Sequence, residues 1–315
     1  MIMTLLSFSR LTPQTRGIML MLMGMLLFTI NDTLGKYMVA LYSVGMLMLV
    51  RSIGGLIMLA PFIARDTHRQ TVRRSLTPAV LGRSVLSVGE SVLFYWAVVY
   101  LPVADVVTLY MAVPIFTTAL AALLLGEQVG WRRWSAIALG FVGVVVALDP
   151  TADVVSPGAM IALVGSVCFA FLMIVTRRMK NETNLTLITG QTLVGIIFGA
   201  ITIPLVLLFP NATVLPRIVG WQPAPWPHIA LLLSLGVVAT IAHMMVTKSL
   251  MLAAASVVVP FQYTTILWAV LFGYIVFGTV PQANMIVGVM IIIGAGAYIF
   301  FREQTLRRRN ALSGQ

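Results

Sequence analysis

The sequence predicts an all-α integral membrane protein of about ten transmembrane helices in two inverted five-helix repeats. Three observations lead there. Hydrophobic residues make up 60% of the 315-residue chain and charged residues 9%, with a mean hydropathy of +1.01. The apolar residues fall into runs long enough to cross a bilayer. The basic residues collect at alternate ends of those runs. A soluble domain has roughly 45–50% apolar and about 25% charged residues, so a water-soluble fold would lack the polar surface to cover a core this large. Hydrocarbon as solvent removes that difficulty.

A helix needs about 20 residues to cross roughly 30 Å of hydrocarbon. The runs at 17–39, 42–63, 79–101, 104–125, 131–149, 157–177, 184–209, 228–252, 254–278 and 281–301 approach or exceed that length. Arg10 and Arg16 precede the first, as in a signal peptide, but the run is too long for an h-region and has no small-residue cleavage site. It reads as a retained span. The junctions at 101–104 and 252–255 are tight enough to make hairpins. The loop at 210–227 carries Pro210, Pro216, Pro223, Pro225, Pro227, Trp221 and Trp226. Proline forbids a regular helix there and tryptophan favours the interface.

The charges test the count. With the N-terminus inside, the inside segments hold Arg10, Arg16, Arg65, Arg69, Arg73, Arg74, Arg132, Arg133, Arg177, Arg178, Lys180, Lys248, Arg302, Arg307, Arg308 and Arg309. The outside segments hold Lys36 and Arg217, and Arg51 and Arg83 fall within spans. One helix more or fewer would scramble this alternation. It predicts a multi-pass protein of the cytoplasmic membrane, a bacterial inner membrane, with both termini cytoplasmic. It also accounts for the net charge of +11 without a nucleic-acid partner.

The segments 104–127 (ADVVTLYMAVPIFTTALAALLLGE) and 256–279 (SVVVPFQYTTILWAVLFGYIVFGT) repeat one pattern. Each follows a hairpin, carries a proline (Pro114, Pro260) and ends in a large apolar residue, glycine and a polar residue. A shift of 152 residues brings Tyr110 onto Gln262 and Gly126 onto Gly278. The repeats divide the chain at 1–150 and 151–315, the second ending in a basic tail. Five spans per repeat is odd, so the second copy starts on the opposite side and the repeats are inverted. Secondary transporters recurrently use that device, with a site near the midplane between the halves.

On these residues the chain resembles the drug/metabolite transporter superfamily, in its ten-span form with two EamA domains. In the first half the resemblance rests on Asp32 with Lys36, Arg51, Leu101-Pro102-Val103-Ala104, Pro114, Leu125-Gly126-Glu127, Gly140 and Gly143. In the second it rests on Ala254-Ala255-Ser256, Pro260-Phe261-Gln262-Tyr263 and Phe277-Gly278. The family commonly has Glu after both glycines; here the second is Thr279. The resemblance implies a secondary carrier of small metabolites or drugs, including zwitterions such as amino acids, without fixing the solute.

Charge within hydrocarbon costs at least about 2.5–3.5 kcal/mol and is paired or faces water. The intramembrane polar residues are therefore the informative ones. At about 1.5 Å per residue, Arg51 lies roughly 13 Å from the outer end of its span and Glu90 roughly 16 Å from the inner end of its own. Arg51 suits a carboxylate or phosphate; Glu90 suits an amine or a proton. The competing reading is a structural Arg51–Glu90 pair. Asp32 is a second proton-coupling candidate, although its spacing from Lys36 fits a local ion pair. Tyr110, Gln191, Gln262, Tyr263 and His243 are further binding candidates. The 152-residue shift places His243 one position from the counterpart of Glu90. Pro114, Gly126, Glu127, Pro260 and Gly278 are expected to act structurally. Arg83 and Lys248 read as anchors that snorkel.

No GxxxxGK[ST] loop, Cys-based metal site or nucleophile motif is present, so neither ATP drive, a cofactor nor an enzyme is expected. The alternatives are an intramembrane enzyme or an oligomeric channel. The expected partners are a small solute, the lipid bilayer and protons, in a monomer or homodimer.

Overall fold

The computed structural model describes residues 11–65, 70–101, 103–110, 112–126, 130–148, 157–205, 221–277 and scattered positions between 283 and 298. Helices α1 (Pro13–Leu41), α2 (Val44–Ala64), α8 (Pro157–Arg178), α9 (Asn184–Leu205) and α10 (Trp226–Leu252) are long and apolar enough to span a bilayer. A short α3 (Gln70–Ser75) precedes α4 (Pro78–Tyr100), whose 23 residues also suffice for a crossing. Helix α4 is the polar span: it carries Arg83, Glu90 and three serines, Ser84, Ser87 and Ser91, all buried. The fourth span is α5 (Val103–Tyr110) followed by α6 (Val113–Leu125), and the fifth is α7 (Trp131–Leu148). The ninth is α11 (Ala255–Val258), a 3₁₀ turn (Val259–Tyr263) and α12 (Thr264–Phe277). Most of the expected tenth span, Glu127 and Gly278 lie outside the described residues.

Local chemistry sets the ends. Thr12 accepts the Thr15 N–H at 3.3 Å with Pro13 in the first turn, and Ser43 accepts the Met46 N–H at 3.1 Å. Such caps satisfy amides that the helix cannot. Between α1 and α2 only Tyr42 and Ser43 remain, a third tight hairpin.

Two spans expected to be continuous are broken. The fourth stops at Tyr110 and restarts with Pro114 in its first turn. The ninth tightens into 3₁₀ geometry around Pro260. Proline removes an i→i−4 bond and crowds the preceding turn. The prolines were visible in sequence; that they interrupt the helices inside the bundle was not.

Packing follows the repeat. Helix α1 lies antiparallel to α10, with Gly17 against Ala253 and Gly24 against Val246. Exchanging the two halves maps this pair onto α4 and α8, which also pack antiparallel: Tyr100 meets Gly158 and Leu93 meets Gly165. Helices α2 and α9 are counterparts and run antiparallel, Leu49 beside Gly199 and Ser52 beside Gly195. Counterparts that run in opposite directions make the repeats inverted. Gly195 and Gly199 thus serve packing within the chain.

The tightest approach is α2 on α10. Gly54 faces the backbone of Leu233, and Gly236 faces the carbonyl of Arg51 and the nitrogen of Gly55. Any side chain there must push the helices apart. Gly126 is different. It ends α6 with φ 64° and open space around it, so it permits a left-handed exit and makes no close helix contact.

Two apolar clusters bracket the bundle. One, near the end carrying Tyr42 and Trp226, includes Met38, Met46, Leu47, Phe94 and Val106. The other, near the opposite, basic end, includes Ile18, Met21, Met173, Leu250 and Val258. They are called here the aromatic and basic faces.

Gly236→Ala is expected to destabilise the protein by roughly 1–3 kcal/mol through overpacking. Gly82→Ala, where a Cβ meets nothing within 4 Å, should be neutral or stabilising. Thermal unfolding in detergent compares them; equal melting temperatures would refute the close α2–α10 contact.

Candidate functional site

A cavity of about 100 Å³ lies between the two apolar clusters. One ordered water needs only about 10–15 Å³ measured this way, so several fit. Its wall draws on both repeats. Helix α1 contributes Met25, Phe28, Asn31 and Asp32, which share one face by their spacing, and α2 contributes Arg51. Helix α4 adds Glu90, Ser91, Phe94 and Tyr95, and the broken fourth span adds Val107, Tyr110 and Val113. Phe169, His243, Gln262 and Thr265 complete it from the second half.

Tyr95 ties three helices together. Its hydroxyl accepts from Arg51 Nη1 at 3.3 Å and from Asn31 Nδ2 at 3.2 Å, and the guanidinium lies 5.7 Å from its ring centroid. Asn31 Nδ2 also reaches Asp32 Oδ1 at 3.2 Å. Asp32, a proton-coupling candidate from the sequence, lines the cavity. Arg51 and Glu90 face the same cavity without closing an ion pair on each other. Arg74 pairs with Glu182 at 3.9 Å, near the basic face.

Repeat counterparts Tyr110 and Gln262 meet here, as do Glu90 and His243, one position from its counterpart. Tyr110 and Gln262 both end in the wall at the two helix breaks, and Glu90 and His243 face it from α4 and α10. Tyr110 donates to the Glu90 carbonyl at 3.4 Å, and His243 packs edge-on to Phe28 at 4.7 Å between centroids. Gln262 Nε2 contacts Met173 Sδ at 3.6 Å, while its Oε1 is buried with no partner. Two candidates fall elsewhere. Tyr263 turns away, lies on Gly140 and donates to the Ile137 carbonyl at 3.2 Å. Gln191 lines a smaller chamber of about 30 Å³, walled also by Ser52, Ser87, Thr192 and Thr240. That chamber shares Arg51, Ser91 and His243 with the main cavity.

Arg83 is a correction to the sequence reading. Only 2% exposed, it does not snorkel. It donates to Thr176 Oγ1 at 2.9 Å, Thr247 Oγ1 at 3.1 Å, and the Leu187 carbonyl and Gln191 Oε1 at 3.4 Å each. The fork of the guanidinium suits four acceptors on three other helices. All are neutral, and no described carboxylate pairs with it. Through Gln191 the clamp adjoins the polar chamber. The missed signal is spacing: Arg83 and Glu90 are seven apart and share a face of α4. Phe28, Phe94 and Phe169 also escaped notice, because an aromatic in an apolar span carries no mark of which way it faces.

A helical bundle with a polar cavity between two inverted repeats is the architecture of a membrane carrier. The chain belongs to the EamA-like transporter family, which matches residues 15–148 and 156–301. It is 27% identical to a riboflavin transporter of Vibrio cholerae over 93% of this chain and 96% of that protein. It is 23% identical to an S-adenosylmethionine uptake transporter of Rickettsia bellii over 91% and 94%. A solved crystal structure shares the fold with a TM-score of 0.73 at 18% identity, covering 90% of this chain and 96% of that one. The protein is thus a multi-pass membrane transporter of a small molecule, and not an enzyme.

If Arg83 seals the chamber, Arg83→Ala opens it toward the basic face. A cysteine at Ser87, in a background without Cys168, should then react severalfold faster with a membrane-impermeant thiol reagent supplied on that face. An unchanged rate would show that the seal lies elsewhere.

Proposed function

We propose that this protein is a secondary carrier of a small zwitterionic or cationic metabolite. Its solute site is the cavity bounded by Arg51, Asp32, Glu90, Tyr110, His243 and Gln262. One observation carries the reading: charged side chains from spans one to three converge, unpaired with one another, on a space that both repeats enclose. Proteins keep such costly groups at membrane depth where they meet a solute or an ion. The relatives named for riboflavin and S-adenosylmethionine transport fit a site for a ring-bearing metabolite. By the positive-inside rule the basic face is cytoplasmic, which puts both termini in the cytoplasm.

In this reading the two repeats rock about the cavity. On the aromatic face the closure is the apolar cluster with the Tyr42 hydroxyl against His228 Nδ1 at 2.6 Å. On the basic face it is the second cluster on one side and the Arg83 clamp on the other. Clamp bonds to neutral hydroxyl and carbonyl oxygens exchange readily for water, so opening strands no ion pair. Glu90 or Asp32 exchanges a proton for the cationic part of the solute. The cavity is complete within one chain, so the cycle runs in a monomer.

Glu90→Gln keeps the shape and removes the charge. The expected outcome is a folded protein whose solute flux into liposomes is lost, or no longer responds to a pH gradient. Normal flux with a normal pH profile would remove Glu90 from the cycle. Poor expression rescued by Arg51→Gln would restore the structural-pair reading.

A further inference from the structure

The smaller chamber, of about 30 Å³, adjoins the main cavity and shares Arg51 and His243 with it. One ordered water needs about 10–15 Å³ measured this way, so the chamber has room for a small ion and none for a metabolite. Its charge has one sign. Arg51 lines it, and Arg83 stands behind Gln191 at 3.4 Å. Among the described lining residues none is acidic; the Asp32 and Glu90 carboxylates line the main cavity instead.

The neutral groups of the wall offer hydrogens. A guanidinium only donates, so Gln191 turns its Oε1 to Arg83 and leaves both N–H groups of Nε2 free. The Ser52 and Thr240 hydroxyls likewise make no hydrogen bond among the described residues. Gly195 lies beside Ser52 Oγ and Gly55 beside Thr240 Oγ1, each where a Cβ would strike the oxygen. These three groups keep accessible surface, Thr240 with 7% exposure, unlike the enclosed Ser87 hydroxyl. Arg51 gives one hydrogen bond, to Tyr95, of the five that a guanidinium can donate. Ser91 and Thr192 spend their hydrogens on Glu90 and on the Ile188 carbonyl. Water satisfies the neutral groups but leaves the Arg51 charge uncompensated on this side, at a depth where unpaired charge is costly.

We propose that this chamber is a binding site for a small inorganic anion of the halide class, held by Arg51, Ser52, Gln191 and Thr240 and separate from the solute site. The anion gives Arg51 a countercharge and receives charge-assisted hydrogen bonds from the hydroxyls and the amide. A metal cation would meet two guanidiniums there and no carboxylate. The proposal stands whether or not the main cavity takes the solute.

Purified full-length protein, without solute, would be melted in the sodium salts of chloride, bromide, formate and gluconate at constant ionic strength. Chloride and bromide should raise the melting temperature along a saturating curve relative to gluconate, which is too large for the chamber. Thr240→Val removes one hydroxyl at nearly constant shape and should raise the half-saturating chloride concentration about tenfold. Gln191→Glu still accepts from Arg83 but sets a carboxylate in the chamber, and should abolish the halide response. The wild-type curve and either variant that folds suffice. Equal melting in chloride and gluconate overturns the proposal, and so does a halide response that the variants keep. A response that follows sodium when N-methylglucamine replaces it would make the site a cation site instead. Formate stabilising where both halides do nothing would give the chamber to a carboxylate of the solute and sink the free anion.

Discussion

Four charged side chains, Asp32, Arg51, Arg83 and Glu90, lie on helices at membrane depth, and none closes an ion pair with another. Hydrocarbon cannot hold them, so the rest of the bundle is arranged to receive them. Helix α4 carries two on one face, with serines between and beside them. That face can only point inward: α1, α8 and α9 pack on the helix, and Thr247 of α10 reaches Arg83. Arg83 receives four neutral oxygens. Arg51 receives the Tyr95 hydroxyl and Asp32 an amide of Asn31. Glu90 receives the Ser91 hydroxyl and otherwise faces open space. The cavity is where the compensation supplied by the protein stops.

The repeat explains how a single chain builds such a space from two halves. The main helix contacts between halves, α1 with α10 and α4 with α8, are counterparts with the roles exchanged, and α2 against α9 lies at the centre of the exchange. Close packing of α2 on α10 at Gly54, Gly55 and Gly236 leaves little freedom there. The two broken helices reach the cavity from opposite faces, each presenting a polar side chain where its helical bonds are interrupted: Tyr110 in one half, Gln262 in the other. An inverted pair of halves about one site is a geometry that opens to either face by the same movement run in opposite senses.

Much of this was legible in the sequence for a physical reason. The bilayer imposes a length and a polarity on every crossing, so spans and their charged ends are written in composition. The mid-depth positions of Arg51 and Glu90 and the equivalence of Tyr110 with Gln262 followed from counting, and all four reach the cavity. What failed depends on rotation about a helix axis. Tyr263 neighbours Gln262 yet packs on Gly140; Gln191 opens to the side chamber; Arg83, placed near a span end, turns inward instead of along the membrane. In an apolar span almost every face is hydrophobic, so periodicity no longer separates the lipid side from the interior. Only the neighbouring helices decide it.

The central claim is that one cavity opens alternately to two faces. Tyr37 and Tyr42 of the first hairpin meet His228 at the start of α10, with ring centroids 6.1 and 5.7 Å apart. Cysteines at Tyr37 and His228, in a background without Cys168, can be joined across the aromatic face by a short cleavable thiol cross-linker. Solute flux in liposomes is then measured before linking, after linking and after cleavage. The account predicts flux abolished by the link and restored by cleavage. Full flux through the linked protein would contradict it.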